Sequence, residues 1–344
     1  MTERVPDHVG IVVIGRNEGE RLVRCFGSLG GEHPLVYVDS GSGDASVANA
    51  RRAGATVVEL DMSVPFTAAR ARNAGIAALR ERAPALAHVQ TIDGDCELSP
   101  GWLSAASAVL EAEPDIAIVL GRLRERFPQR SIYNALCDHE WDGPTGEAPG
   151  CGGIAMIRLA ALDAAGGYRS GMIAGEDTEM AMRVRKAGWH IRRLGADMAL
   201  HDAAITRFGQ WWRRQRRGGH GFAEMAWLHP DARWPDWART CRSIVAWGLA
   251  LPVLTAASAI AALLAGRPWM LLVPAALLAL WPAKMWQIAR AKRRDGLSAR
   301  VARASGIFLM VGKLAEVQGL IRFHVDRLSG RDPRLIEYKG PAAP

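Results

Sequence analysis

Two acidic clusters in the sequence have the residue types and spacing that suit metal, phosphate and proton chemistry. The first is Asp93-Gly94-Asp95, which directly follows the strand-like segment 88–92. Two carboxylates separated by one residue can hold a divalent cation and leave coordination positions for a diphosphate. Ordinary turns use the same triplet. The triplet alone therefore leaves both interpretations open.

The second acidic cluster is Glu176-Asp177, which follows Gly175 and precedes a helix-like run to Ala187. An acidic residue at the start of a helix can serve only as an N-terminal cap. The order of features favours chemistry instead. A strand, Asp39 with a Gly/Ser loop, a helix and the Asp-Gly-Asp triplet all precede this Glu-Asp pair.

Strand-like and helix-like segments alternate in the first part of the chain. Strands are predicted at 9–14, 35–39, 56–60 and 88–92, with helical spacing at 20–29, 45–53 and 67–82. Such alternation predicts βαβ units and a mainly parallel, Rossmann-like α/β sheet. The ligand crevice of such a sheet lies at the carboxyl ends of its strands. The acidic clusters follow strand ends, so they should converge on one rim.

Charge and cysteine content limit the class of protein only loosely. The 43 Lys and Arg exceed the 35 Asp and Glu, giving a formal net charge of +8. This balance permits binding to nucleic acid, anionic lipid or phosphorylated substrates.

The five cysteines are scattered without C-x-x-C spacing, which favours reduced thiols in the cytosol. The short apolar run 9–14 lacks the length of a signal peptide, so the first domain is expected to be cytoplasmic.

The C-terminal part of the chain has the composition of a membrane hairpin. Residues 243–265 carry no charge, and a second apolar run covers about 269–289 after the break Gly266-Arg267-Pro268. Basic residues flank the pair on both sides, which places both flanks in the cytoplasm by the positive-inside rule. The predicted domains are 1–235 catalytic, 236–298 transmembrane hairpin and 299–344 interfacial helix and tail.

The segment 299–328 mixes apolar and charged residues at helical spacing. We expect an amphipathic helix at the membrane surface. A third membrane span is the alternative, although Lys313, Glu316 and Arg322 interrupt its apolar character.

Five motifs in this order resemble those of family 2 glycosyltransferases, which have the GT-A fold. They are Val12-Val-Ile-Gly-Arg-Asn-Glu18, Val38-Asp-Ser-Gly-Ser-Gly-Asp44, Ala71-Arg-Asn-Ala-Gly75, Asp93-Gly-Asp95 and Gly175-Glu-Asp177. The resemblance covers about residues 9–194. It implies an inverting enzyme that transfers a sugar from a nucleotide-diphospho-sugar to an acceptor at the cytoplasmic face of the inner membrane.

The resemblance also implies roles for individual residues. Asp177 would be the general base, and Asp95 would ligate Mn²⁺ or Mg²⁺, with His201 as a second candidate ligand. The substrates would be bound by Arg16, Asn17, Glu18, Asp39, Asp44, Arg72, Asn73, Asp93 and Glu176. Gly153 would belong to a small-residue stretch that lets the acceptor approach the sugar. Arg213 lies in a Gln-x-x-Arg element that resembles one in processive members, but Arg214 replaces its Trp. Arg213 can bind phosphates of either a nucleotide or a lipid headgroup.

Two other functions fit parts of the sequence. A metal-dependent nucleotidyltransferase also carries carboxylates on an α/β rim, but normally has a Gly-rich loop with a Lys after the first strand. A non-catalytic basic membrane scaffold would explain Arg213 to Arg217. No nucleic-acid-binding motif is recognised, and acidic strand ends would repel a phosphate backbone. The acceptor is expected to be lipid-linked or an envelope glycan, because the chain carries its own membrane anchor.

Overall fold

The computed structural model describes residues 8–31, 33–232, 235–331 and 334–337. These residues form two compact units. The first contains the described residues up to Pro128 together with Cys137–Ala204, and the second contains Gln129–Leu136 and the described residues from Ile205 onward. The boundary predicted at residue 235 falls inside the second unit, and the three domain limits stay predictions.

The first unit opens with four parallel strands in the order β3-β2-β1-β4. They are β1 Val9–Gly15, β2 Leu35–Asp39, β3 Thr56–Glu59 and β4 His88–Asp93, and they are connected by α1 Glu20–Ser28, α2 Ser46–Arg52 and α3 Ala68–Arg82. Buried apolar side chains fill β1, whereas β4 buries Val89 and Ile92 together with the polar His88, Gln90 and Thr91. The βαβ alternation predicted from the sequence is therefore confirmed.

The second half of this sheet is mixed in direction. Its elements are β5 Cys96–Leu98, α4 Trp102–Ala112, β6 Ile116–Glu125, α5 Ile132–Glu140, β7 Gly146–Glu147, β8 Ala155–Arg158, α6 Leu159–Ala164, α7 Glu176–Lys186 and β9 His190–His201. Strand β8 pairs antiparallel with β4 and β6, and β9 pairs parallel with β6 but antiparallel with β5 and β7. The α/β fold class is confirmed, with parallel pairing concentrated in the strands that the sequence pattern identified.

His88, at the start of β4, is a buried titratable group in this core. Its side chain is 3% exposed, and neither ring nitrogen has a hydrogen-bond partner. Burial, together with the positive charge of Arg158 and the neighbouring His8, lowers the pKa of His88 to about 4. The folded protein therefore keeps this imidazole neutral at a pH where the unfolded chain protonates it.

We expect the first unit to lose stability as the pH falls from about 6.5 towards 4, because the unfolded state then binds a proton that folded His88 does not. The loss reaches at most about 3 kcal/mol. Thermal unfolding at pH 7.5 and at pH 5 measures it. His88→Leu should flatten the pH dependence, whereas the control His190→Gln, at a half-exposed ring, should not. An unchanged slope in His88→Leu would contradict the assignment.

The second unit consists of helices. They are α8 Phe208–Leu228, α9 Trp237–Val245, a π-helical turn Ala246–Ala250, α10 Leu251–Ala265, a 3-10 turn Pro268–Leu271, α11 Leu272–Arg294 and α12 Ala299–Leu328. Among the described residues, three helical stretches are long and apolar enough to cross a membrane: Trp237–Ala265, Pro268–Arg294 and Ala299–Leu328. The two apolar segments predicted from the sequence are confirmed as helices long and apolar enough to cross a membrane. Helix α12 is a third helix of sufficient length and apolar character.

Candidate active site

The site lies at the carboxyl ends of β1, β2 and β4. Gly15 at the end of β1 is in register with Asp39 at the end of β2, and Ile14 is in register with Asp93 at the end of β4. Parallel pairing thus places the loops after these strands side by side. This is the rim predicted from the acidic strand ends.

Hydrogen bonds join the loop after β1 to the loop after β2. The Asn17 amide N donates to Ser42 Oγ at 2.9 Å, and Asn17 Oδ1 accepts from the Gly43 N at 2.8 Å. Asp44 Oδ2 accepts from the Gly19 N at 3.0 Å. Asn17 adopts a left-handed backbone with φ of 55°, which Asn tolerates better than most residues. Asn17 and Asp44 therefore shape the pocket through its backbone.

Asp39 forms the floor of the same pocket and is 3% exposed. Its Oδ2 accepts from the backbone N of Gly41 and Ser42 at 2.9 and 2.8 Å, and its Oδ1 accepts from Tyr37 Oη at 3.1 Å. Burial and the charge of Asp39 raise the pKa of Tyr37, so its hydroxyl stays protonated and donates. Asp39 is thus held rigidly in place by the loop that it helps to order.

Two other predicted pocket residues contact neighbours on the same rim. The guanidinium of Arg16 lies over the ring of Phe66 at 4.8 Å. Glu18 Oε2 forms an ion pair with Arg21 Nη2 at 2.8 Å. The contact with Arg16 places an aromatic ring, Phe66, beside the loop after β1, a feature that the sequence motif did not reveal.

Arg72 on α3 connects both acidic clusters. Its Nη2 lies 2.9 Å from Asp93 Oδ1, and its Nη1 lies 2.9 Å from Glu176 Oε1 and 2.8 Å from Asp177 Oδ1. The guanidinium is 2% exposed. Burial alone would lower the pKa of Arg72, but the charges of Asp177, Asp93 and Glu176 together raise it well above its ordinary value. The cation is therefore permanent, and it fixes the carboxylates around it.

The carboxylates around Arg72 differ in their access to solvent. The side chains of Asp93 and Asp177 are 36% and 14% exposed, whereas that of Glu176 is 6% exposed. Glu176 and Asp177 occupy the first turn of α7, where the preceding Gly175 has a left-handed φ of 81°. Of the Glu-Asp pair, Asp177 is the more exposed to the crevice.

Asn73 contacts a loop rather than these carboxylates. Its Nδ2 donates to the carbonyl of Tyr168 at 2.7 Å, and its Oδ1 accepts from the Tyr168 N at 3.0 Å. Arg72 in turn lies over the Tyr168 ring at 5.7 Å. Asn73 therefore positions the segment that covers Arg72.

Asp95, Cys96 and His201 meet where β5 pairs with the end of β9. His201 Nε2 lies 3.4 Å from Asp95 Oδ2, and the Cys96 Sγ donates to Asp95 Oδ1 at 3.4 Å. The ligand atoms of the three residues lie within 4.8 Å of one another. Carboxylate oxygens suit Mn²⁺ and Mg²⁺, and imidazole nitrogen is a ligand of divalent transition metals. The donor set therefore fits the divalent cation that the sequence analysis implies.

Trp141, just after α5, supports His201 from the side. The two rings stack with centroids 4.6 Å apart and an interplanar angle of 20°. Neither Trp141 nor Cys96 was predicted as a site residue. The contact between Trp141 and His201 joins positions far apart in the sequence, so no local pattern indicates it.

Gly153 closes the site over Arg72. A Cβ at this position would overlap Arg72 Nη2 and lie 3.1 Å from Asp93 Oδ2. We expect Gly153→Ala to displace the guanidinium and lower turnover by at least about tenfold, since a 1 Å misplacement can cost about 100-fold. The matched control is Gly152→Ala, because nothing lies within 4 Å of a Cβ there.

Equal turnover of the two alanine variants in steady-state assays would contradict the packing role of Gly153. The unfolding temperature of each variant should be measured in parallel. A fall in turnover of Gly153→Ala without a comparable fall in its unfolding temperature identifies an effect on the site.

Arg213 is not among the residues that the first unit brings together. It lies on α8 of the second unit, where its side chain is exposed. Its role as a phosphate-binding residue stays a prediction.

Solved structures with a similar fold include two glycosyltransferases. The mannosyltransferase PcManGT from Pyrobaculum calidifontis, solved with GDP-Man and Mn²⁺, is 18% identical and aligns with a TM-score of 0.58 over 93% of this chain and 90% of its own. Glucosyl-3-phosphoglycerate synthase from Mycobacterium tuberculosis is 18% identical and aligns with a TM-score of 0.43 over 63% and 79%. No curated protein sequence matches the chain. The likeness to PcManGT shows that the chain has the GT-A fold.

The family follows from sequence models. The model described as glycosyl transferase family group 2 matches residues 88–288, more than half of the chain. The model described as glycosyl transferase family 2 matches residues 10–155. The chain belongs to the family 2 glycosyltransferases, as its motifs predicted.

Proposed function

We propose that this glycosyltransferase is an inverting, metal-dependent enzyme that transfers a sugar from a nucleotide-diphospho-sugar to an acceptor at the cytoplasmic membrane face. The observation that carries the proposal is the Arg72 cluster. One buried guanidinium holds Asp93 of the Asp-Gly-Asp triplet and Asp177 of the Glu-Asp pair at 2.9 and 2.8 Å. The donor-binding and acceptor-activating carboxylates of the proposed reaction thus share one rim.

Asp95 and His201 would hold Mn²⁺ or Mg²⁺ in this proposal. When bound, the cation supplies positive charge that stabilises the nucleoside diphosphate as it leaves. The short distance between Asp95 Oδ2 and His201 Nε2, 3.4 Å, supports a shared ligand position. Asp93, held by Arg72 Nη2, would lie towards the donor ribose and diphosphate.

Asp177 would accept the proton of the acceptor hydroxyl. Its carboxylate is more exposed than that of Glu176, so an acceptor in the crevice can reach it. A single base on the face opposite the leaving group gives inversion at the anomeric carbon. Arg72 would fix the direction of this carboxylate, as preorganised sites require.

The test is a screen of UDP-, GDP- and dTDP-sugars with the full chain in lipid nanodiscs, with and without EDTA. Sugar transfer or slow donor hydrolysis should release a nucleoside diphosphate with only some donors, and only with Mn²⁺ or Mg²⁺ present. Release of pyrophosphate from a nucleoside triphosphate would favour a nucleotidyltransferase instead. A protein without divalent-dependent affinity for any nucleotide would fit the scaffold function and refute the proposal.

The proposed location places Trp237–Ala265 and Pro268–Arg294 across the inner membrane, with the first unit in the cytoplasm. Only 11% and 6% of their apolar windows are buried inside the protein, so these helices need lipid around them. The basic flanks set the orientation, and cytosolic nucleotide sugars then reach the rim. A lipid-linked or envelope-glycan acceptor fits this position.

Single-cysteine labelling with a membrane-impermeant reagent in intact cells tests the orientation. Only Cys241 needs prior replacement, because the other four cysteines are buried. Arg267→Cys in the turn between the spans should label from outside, and Glu81→Cys in the first unit should not. External labelling at position 81 would invert the topology and refute the cytoplasmic location.

A further inference from the structure

Helix α12 differs from the other two apolar helices in how much of it the protein covers. Half of its apolar window is buried, against 11% and 6% for the helices of the hairpin. Length and composition alone would allow α12 to be a third membrane span. Its packing decides whether it crosses.

Helices α8 and α12 run parallel with their backbones in close contact. Gly219 of α8 faces the carbonyl of Glu316, and Gly319 of α12 faces the carbonyl of Arg216, so that a Cβ on either glycine would overlap the other helix. Small residues of this kind let helices approach most closely.

Side-chain contacts extend the α8–α12 interface in both directions. The rings of Trp211 and Phe308 lie 5.0 Å apart, and Arg327 lies 3.9 Å over the ring of Trp227. The two helices are thus joined over about 25 Å, the length of sixteen helical residues. Helix α8 must therefore lie at the same membrane depth as α12.

Helix α8 is too polar to lie inside a bilayer. Its central part carries Arg213, Arg214, Arg216 and Arg217, beside residues 312–320 of α12. A third span would place this part of α12 at the membrane centre, and the four arginines with it. Arginine at that depth is among the least favourable side chains. The pair is therefore excluded from the membrane interior.

The contacts of α12 with the hairpin fall near the basic ends of the two spans. Gly248, eleven residues after Trp237, faces the carbonyl of Lys313, and Gly306 faces the carbonyl of Met285, nine residues before Arg294. Helix α12 thus passes the two helices on the side where Arg239 and Arg294 lie. By the positive-inside rule, these basic residues mark the cytoplasmic face of the membrane.

The outer face of α12 carries an uncovered apolar stripe. Ile307, Ile321, Val325 and Leu328 are 46%, 46%, 48% and 79% exposed, and their spacing places them on one side of the helix. Arg300 and Arg303 lie seven and four residues before Ile307, on the same side of the helix, and the arginines of α8 lie on the neighbouring helix. Apolar side chains bordered by arginine match the boundary between acyl chains and anionic headgroups.

We propose that α8 and α12 form one platform that lies flat on an anionic lipid surface, and that α12 is not a third span. The apolar stripe of α12 enters the headgroup boundary, and Arg213, Arg214 and Arg217 contact lipid phosphates. The inference rests on the membrane hairpin of the proposed function, but it does not depend on the sugar-transfer activity.

Nitroxide labels measure the depth of each helix in nanodiscs of phosphatidylcholine and phosphatidylglycerol. Single cysteines at Ile307, Leu314, Ile321 and Leu328 sample α12 in a Cys241→Ser background, with Leu254 and Leu278 as references on the hairpin. The platform predicts shallow and similar depths along α12, with deep values at the references. A depth maximum at Leu314, or full water exposure along α12, would overturn the proposal. Dipolar coupling between chains at these positions would mean that a second copy covers the stripe and would also overturn it.

Shallow label depths at Leu254 and Leu278 would instead refute the membrane hairpin of the proposed function. The experiment therefore distinguishes a failure of the hairpin from a failure of the platform.

The anionic contact is tested by hydrogen exchange of the α12 amides with and without phosphatidylglycerol. The acidic lipid should slow exchange in residues 312–320 of α12, beside the arginines of α8, by at least about fivefold, the equivalent of one arginine near a charged surface. Combined Arg213→Gln, Arg214→Gln and Arg217→Gln should remove this protection. Arg82→Gln, at an exposed arginine of the first unit, is the matched control. Protection that survives the triple change would overturn the lipid contact.

Discussion

Replacing Asp177 by Asn is expected to lower kcat by about 10²–10⁴-fold while nucleotide affinity persists. The amide keeps the shape of the carboxylate but cannot accept a proton at neutral pH. Arg72 would still be paired with Asp93 and Glu176, at 2.9 Å from each, so the buried cation is not left alone. Steady-state kinetics and donor titration measure the two effects separately.

A surface aspartate provides the matched control for this change. Asp163 forms an exposed ion pair with Arg80, and Asp163→Asn should leave kcat unchanged. Asp177→Asn should also lose the acidic limb of the pH profile of kcat, which reports the base. Turnover like that of the wild type in a folded Asp177→Asn protein would refute the role of Asp177.

Loss of Asp95 is expected to abolish the dependence of donor binding on a divalent cation. Changing a residue that merely supports a metal ligand typically costs about 10–100-fold in affinity, so Asp95→Ala should weaken Mn²⁺ binding by more than about 100-fold. Electron paramagnetic resonance of free Mn²⁺ measures this binding without any reaction. The removal of Asp95 also takes away the carboxylate that lies 3.4 Å from His201 Nε2.

His201→Ala is the second variant of this test and should weaken Mn²⁺ binding in the same direction. Asp163→Ala serves as the control. Unchanged Mn²⁺ affinity in both site variants would show that the cation binds elsewhere. Indifference of the wild type to EDTA would refute metal dependence altogether.

The rim of the site could be predicted because strand periodicity fixes where side chains emerge. Asp39 and Asp93 end apolar strands, and parallel pairing places such ends together. The partners of Arg72 could not be predicted in the same way. Arg72 and Glu176 are 104 positions apart, so only tertiary packing brings them together.

Strands β7 and β9 in the second half of the sheet could not be predicted from hydrophobic periodicity, for a different reason. Strand β7 has only two residues, and β9 carries polar side chains along much of its length. Neither contains the short run of apolar and β-branched residues that identified the first four strands in the sequence. The sequence did not predict the contacts of Asn17 and Asp44. Their motifs suggested that both side chains bind the nucleotide, whereas in the structure they accept hydrogen bonds from the backbone of neighbouring loops.

The order of the strands in the sheet has a consequence for how this chain folds during synthesis. Strand β8 lies between β4 and β6, and β9 lies between β6 and β5, so late segments insert among early ones. Until α7 emerges from the ribosome, Arg72 has Asp93 as a partner but lacks Glu176 and Asp177. Burial of a guanidinium that lacks two of its three carboxylates is unfavourable and opposes compaction. The nascent chain should therefore remain incompletely folded until β9 is complete. The first unit then completes its folding only after its whole sequence has been synthesised. Its folding depends on contacts between residues that are far apart in the sequence, and such contacts form slowly.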